Sequence, residues 1–290
     1  MKKTVAFLAA VLLVLGMSGC GSPSSKAAEQ QTGSSSAVQT SGSSQDGSGS
    51  SSDGENDSSS QQTNQAGAPS QATQKTLNQV KSALSTNTPL MLPTDVPVDA
   101  GRWLASVTSS QAQSYKATFY ETDQSVDVNS QAVSKGTPIV TVEGKKYADA
   151  ASAAKSISGY QEVKNSGYDG FVDLGHQIKA AQDEGAGQHV LIWNEGNWCL
   201  SVEGPSEPEY RNKKYPDSEQ LAKDVVSYLE NHMLPPPKNI GVIKMYVGDP
   251  ANSAVASGTN VVWQKNDTVY QVSSADVMTA LKVAVAMKFC

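Results

Sequence analysis

The sequence predicts an α+β fold, an antiparallel sheet with helices largely on one face, built from a hairpin-helix unit repeated along the chain. Three observations predict it. Residues 190–202 read VLIWNEGNWCLSV and residues 260–272 read NVVWQKNDTVYQV, and the two phrases align without a gap at an offset of 70. Each consists of two runs of aliphatic, β-branched and aromatic residues around a short polar turn, the pattern of a β-hairpin. Each then leads to a segment with apolar residues at helical spacing. A hairpin cannot bury its apolar face by itself, and a helix laid across it can. The alignment matches Trp193 with Trp263, Leu200 with Tyr270 and Val202 with Val272.

The other elements follow in chain order. QKTLNQVKSAL (74–84) sets Leu77, Val80 and Leu84 on one helical face. PLMLPTDVP (89–97) is held extended by its prolines. WLASVTS (103–109), YKATFYET (115–122) and PIVTVEG (138–144) read as strands separated by turn residues. KKYADAASAAKSI (145–157) is an Ala-rich helix whose small face suits close packing on a sheet, and HQIKAAQ (176–182) is a short strand before the GAG turn at 185–187. In the first phrase Gly196 supplies a positive φ for the turn at Glu195-Gly196-Asn197. DSEQLAKDVVSYLENHM (217–233) is a helix with Leu221, Val225, Tyr228 and Leu229 on one face, and Asp217 with Gln220 resembles a capping box. Pro235-Pro236-Pro237 ends it, and GVIKMYVG (241–248) is a strand. The second phrase turns at Lys265-Asn266-Asp267, and Ser273 with Asp276 resembles a cap for a helix over 276–288.

Before residue 75 the composition differs. Lys2 and Lys3 precede eleven apolar residues, Val5 to Leu15, which is the n- and h-region of a secretory signal and too short for a comfortable membrane span. The segment closes on Met17-Ser18-Gly19-Cys20. This resembles the lipobox of bacterial lipoprotein precursors, with Met17 where Leu is usual. The resemblance implies a diacylglyceryl group on the Cys20 sulfur and cleavage just before Cys20. Two or more acyl chains anchor a protein firmly where one does not. Residues 21–74 are rich in Ser, Gly, Gln, Thr and Ala, with Val38 the only larger aliphatic side chain and no aromatic. Such a stretch cannot offset its ordering entropy and reads as a tether of roughly 40 Å r.m.s. span. The expected organisation is therefore 1–19 signal, 20–74 lipidated Cys and tether, and 75–290 the folded domain, with 75–234 and 238–290 as candidate subunits of it. The tryptophan hairpins with their helices resemble hairpin-plus-helix modules of uncharacterised lipoproteins from Gram-positive, spore-forming bacteria, a resemblance that implies no active site.

The chain carries a formal net charge of -6, and loss of the signal leaves 20 basic against 28 acidic side chains. No basic stripe offers itself to phosphate, which argues against nucleic acid. His176, His189 and His232 make no pair at i, i+4, and no Cys pair has finger spacing, so no metal ligands or cofactor are assigned. His232, in the last turn of its helix, suits a C-terminal cap. Asp123, Asp127 and Asn129 lack the order and Gly of a calcium loop. No catalytic residue is assigned. Cys199 and Cys290 form a candidate disulfide outside the cytoplasm, with two free thiols as the alternative. Cys199 alternates with Trp198 and Leu200, which turns it away from the main core. Of the four tryptophans, Trp103, Trp193, Trp198 and Trp263, core packing is expected to claim most. Trp198, beside the first turn and matched by Thr268 in the second phrase, is the candidate binding residue.

These observations lead to an expectation of a lipid-anchored protein on the extracytoplasmic face of the cell membrane. It binds or scaffolds an envelope protein or glycan without catalysis. A carrier or sensor of an apolar ligand is the alternative, and an envelope hydrolase a third reading.

Overall fold

The computed structural model describes residues 70–249, 251 and 258–290. The expected signal, Cys20 and the expected tether up to Pro69 lie outside the described residues. The elements are α1 (Gln71–Ala83), β1 (Met91–Pro93), β2 (Trp103–Gln111), β3 (Ser114–Thr122), β4 (Thr137–Lys146) and α2 (Ala150–Ser156). They continue with β5 (Gly170–Gly175), β6 (Ile178–Gly185), β7 (Gln188–Glu195), β8 (Trp198–Pro205) and α3 (Ser218–Leu229). The last are β9 (Gly241–Tyr246), β10 (Gly258–Lys265), β11 (Thr268–Ser274), α4 (Val277–Ala286) and β12 (Met287–Phe289). The class is α+β. Ten strands form one sheet in the order β2-β3-β4-β11-β10-β9-β8-β7-β6-β5, and β1 pairs with β12 in a separate ribbon.

Several expectations are corrected. The sheet is mixed, because β8 and β9 run parallel. A parallel pair needs a crossover, and the passage through α3 supplies it. The folded unit begins before residue 75: Ser70 caps α1, its Oγ accepting from Thr73 N at 3.2 Å. The candidate subunits 75–234 and 238–290 share one sheet, since β4 pairs with β11 and β8 with β9. The helices do not all share a face. α1, α3 and α4 bury Leu77, Val80, Leu221, Val225, Leu281 and Ala284 in one core with Trp193, Trp263 and Tyr270. α2 lies against the other face of β10 and β11, where Gln264, which alternates with Trp263, donates to Ala150 O at 3.1 Å. The short Ala-rich helix has only Ala153 buried and brings too little apolar surface to compete for the core face.

Both predicted turns have two residues between paired strand ends, Gly196-Asn197 and Asn266-Asp267. Gly196 (φ 57) and Asn266 (φ 54) occupy the same left-handed position. The two hairpins then meet over a glycine. Gly241 on β9 is paired with Trp198 on one side and with Trp263 on the other. A Cβ at Gly241 would lie 2.5 Å from the Trp198 ring. Its absence lets that ring lie over β9 with its centroid 6.2 Å from that of Trp263. Trp263 continues to Tyr270 (5.7 Å) and Tyr270 to Phe289 (6.0 Å), so an aromatic run crosses from β8 to the C-terminal strand.

The caps differ in detail from expectation. Asp217 caps α3, accepting from Glu219 N and Gln220 N at 2.9 and 3.0 Å, while the Gln220 amide turns forward to Asp224. α4 is capped by Asp276, whose carboxylate accepts from Thr279 N (2.8 Å), Thr279 Oγ1 (2.9 Å) and Tyr215 Oη (2.7 Å), and pairs with Lys214. Ser273 is a residue of β11 and takes no part in the cap. Burial pushes the Asp276 carboxyl up, but the Lys214 ammonium, the Tyr215 hydroxyl and the Thr279 donors outweigh it and hold it down at about 2. This latch ties the loop after β8 to the start of α4.

Two outcomes follow from this packing. In chemical denaturation, Trp198→Ala is expected to cost about 3–5 kcal/mol, as Trp193→Ala and Trp263→Ala do, and Gly241→Ala about 1–3 kcal/mol. A near-neutral Gly241→Ala would remove the glycine seat from the account. Asp276 has a folded pKa below its unfolded one, so its stabilisation is full above about pH 4 and is lost as pH falls through about 2. Asp276→Asn should therefore cost about 1–2 kcal/mol at neutral pH, with the difference from wild type closing below about pH 4.

Candidate functional site: an open polar sheet face

Strand alternation leaves the face opposite the core to a second set of side chains. The ladder registers align one row straight across the sheet: Val107, Thr118, Thr141, Ser273, Asn260, Lys244, Ser201, Ile192 and Ala181, on β2, β3, β4, β11, β10, β9, β8, β7 and β6. The six central members are all polar and the ends are apolar. Thr118 and Thr141 hydroxyls are bonded at 3.1 Å. Asn260 Oδ1 accepts from Ser273 Oγ at 2.8 Å and from Gln271 Nε2 at 3.2 Å, and Gln271 also reaches Ser273 Oγ at 2.8 Å. This mutual bonding fixes short side chains with further donors and acceptors still available.

The middle of the row, Thr141, Ser273, Asn260 and Lys244, lies in a trough. One depression of about 350 Å³ is lined by Ile139, Thr141, Gly258, Asn260 and Ser273, and another of about 340 Å³ by Ser156, Ile157, Val242, Lys244, Asn260 and Gln271. Asn260 belongs to both, so they adjoin. Beyond Lys244 the passage from α2 to β5 straps the same face. Val163 N donates to Asn194 Oδ1 (2.7 Å), and Val163 and Tyr168 pack on a small cluster of Ala181, Ile192 and Cys199. Gly159, at φ +87, lets the strap approach: a Cβ there would lie 2.4 Å from Lys244 Cε. Lys244 is exposed and makes no ion pair among the described residues.

The residues singled out in the sequence are not brought together. Trp198 is buried, 6 % exposed, because Gly241 opens the space beside it; Trp103, on β2 at the sheet edge, is the exposed tryptophan at 40 %. Cys199 is on the strapped face and Cys290 follows the ribbon that covers the core face, where Tyr115 Oη bonds Met91 O. The candidate disulfide is therefore not formed, and both thiols are free. Burial pushes the Cys199 thiol up, which suits packing rather than nucleophilic attack. Asp127 accepts from Gln79, Asn129 from Thr108 N, and Asp123 pairs with Arg102, so the three acidic and amide groups serve separate contacts. Among the described residues no group of three or more His, Cys, Asp or Glu is placed to hold a metal ion.

His232 Nδ1 bonds Tyr228 O at 2.8 Å and its ring stacks on Tyr228 at 4.1 Å, closing the C-terminal end of α3. Beneath it, Glu195, Trp198, Leu200, Leu229, His232, Met233 and Leu234 enclose about 200 Å³. Glu195 Oε1 accepts from Trp193 Nε1 at 2.8 Å. Burial pushes the Glu195 carboxyl up; the Trp193 bond opposes this and the Glu230 charge adds to it.

Polar members of the trough carried a signal in the sequence, in the alternation of Thr, Ser, Asn and Lys with the core residues. The alternation does not say which strands are neighbours, so the row could not be assembled. Compared with known proteins, the chain matches no family model, no curated protein and no solved structure.

Because its folded pKa is raised, Glu195 costs stability above that value and nothing below its unfolded pKa. Glu195→Gln keeps an acceptor for Trp193. It should be at least as stable as wild type at pH 7, with any advantage fading as pH falls toward the ordinary carboxylate range. A variant that unfolds more readily at pH 7 would contradict this.

Proposed function

We propose that the chain is a non-catalytic, lipid-anchored binding module of the bacterial cell envelope, held at the extracytoplasmic face through Cys20, and that it grips a glycan strand in the open trough. The observation that carries the proposal is the unbroken polar row of Thr118, Thr141, Ser273, Asn260 and Lys244. Four inter-strand spacings give it a length of roughly 19 Å. These strands lie inside the sheet, so their backbone groups are already paired and cannot take up an extended peptide by strand addition. Recognition must run through side-chain hydroxyl, amide and ammonium groups, which suits a ligand carrying donors and acceptors along its whole length. The lipobox and the apolar-poor tether support the anchored location.

The same proposal extends to the architecture, in which one hairpin-helix unit serves twice with its helix on the core face. It is supported by the buried Trp193 and Trp263, the equivalent turns at Gly196 and Asn266, and the contacts of α3 with β7 and β8 and of α4 with β10 and β11. A carrier of an apolar ligand has less support, since the apolar pocket of about 200 Å³ falls below the roughly 300–1,000 Å³ of most small-molecule sites.

Two measurements test this. Acyl labelling with membrane fractionation should show the wild-type chain labelled and membrane-bound, and Cys20→Ser neither; equal labelling would end the anchoring claim. Soluble chito-oligosaccharides, titrated against the folded unit and monitored by NMR, should shift trough resonances. Lys244→Ala combined with Asn260→Ala should weaken binding at least tenfold. Unchanged binding in that variant would place any glycan site elsewhere.

A further inference from the structure

The pocket under the end of α3 is separate from the trough, because Trp198 and Leu200 face the core while Cys199 and Ser201 face the other side. Its wall is mostly apolar, from Leu200, Leu229, Leu234 and the Trp198 indole. Its acceptor is the Glu195 carboxylate. Of the described residues only Trp193 donates to the Glu195 carboxylate, at Oε1, which leaves Oε2 without a partner. Among the described residues no Lys or Arg pairs with Glu195 or with its neighbour Glu230, whose one ion-pair partner is His176 at 3.8 Å. His232 Nδ1 faces the Tyr228 carbonyl and so donates to it, and its ring stands at the rim of the pocket. A half-buried carboxylate and an indole face, with no Lys or Arg among them, form an incomplete set. The missing member is a positive charge, which would gain charge-assisted hydrogen bonds and, over the indole, a cation–π contact.

We infer that this pocket binds a small organic cation: a primary ammonium held by the Glu195 carboxylate, on a compact apolar body seated against Trp198, Leu200 and Leu229. About 200 Å³ is room for roughly six or seven waters' volume, which suits a short branched amine and excludes a drug-sized molecule. The retained cost of Glu195 at neutral pH fits a group kept for a ligand at the expense of stability. Met233, 85 % exposed beside the opening, leaves a way in.

The test titrates the mature chain at pH 7 with isopentylammonium and with isopentanol, its neutral counterpart, by calorimetry. The ammonium should bind saturably and at least tenfold more tightly than the alcohol. Glu195→Gln, which is expected to remain folded, should erase that preference and leave the alcohol unaffected. Equal binding of ammonium and alcohol to wild type would reduce the site to an apolar hole and overturn the inference. Unchanged ammonium binding in Glu195→Gln, or no saturable binding by either compound, would overturn it as well.

Discussion

The structure depends on the contact of Trp198 with Trp263 across Gly241. Each tryptophan belongs to a different hairpin, and the two hairpins are joined by a parallel pair of strands rather than by a tight turn. Parallel pairing is slightly weaker per residue than antiparallel pairing and requires a long crossover. The join is reinforced where it is weakest, because a glycine on the intervening strand lets an indole reach over and touch the next one. With the halves joined there, β4 and β11 extend the sheet on one side and β6 and β5 on the other, and one core runs beneath ten strands.

A sheet this wide has two faces to account for. α1, α3, α4 and the β1–β12 ribbon cover one. The other is covered only in part, by α2 over the turn end of β10 and β11 and by the strap over Ala181, Ile192 and Cys199. The remaining strip would be an aggregation hazard if it were apolar and flat. It carries hydroxyl and amide groups bonded to one another, beside the Lys244 ammonium, which keeps it wet.

Two carboxylates show how one residue class serves opposite ends. Asp276 is surrounded by donors and a cation, and its ionised form stabilises the joint between the β8–α3 loop and α4. Glu195 has one indole donor and apolar neighbours, and its ionised form is held at a cost. Neither environment is local in sequence: Lys214 and Tyr215 come to Asp276 from 62 and 61 residues away, and Leu229, at the end of α3, and His232, just past it, line the pocket with Glu195 from beyond a long loop.

The sequence by itself determined the kind and order of most elements. Alternation marked β2, β3, β4, β7, β8, β9, β10 and β11, helical spacing marked α1, α3 and α4, and Gly196 and Asn266 marked the turns, because these signals depend only on neighbours along the chain. Weakly patterned pieces escaped it. β5, with glycines at both ends, and the three-residue strands β1 and β12 form only where a partner edge is already present. Ser273 has a cap's spacing to Asp276 and is instead a strand residue of the trough. The tertiary structure alone decided which side of the sheet α2 takes, that Trp198 is buried, that Cys199 and Cys290 lie on opposite faces, and that Thr118 through Lys244 stand in one row. Each of these depends on which strands are neighbours and on what a residue distant in sequence leaves room for, as Gly241 does for Trp198, and periodicity along one chain carries no record of either.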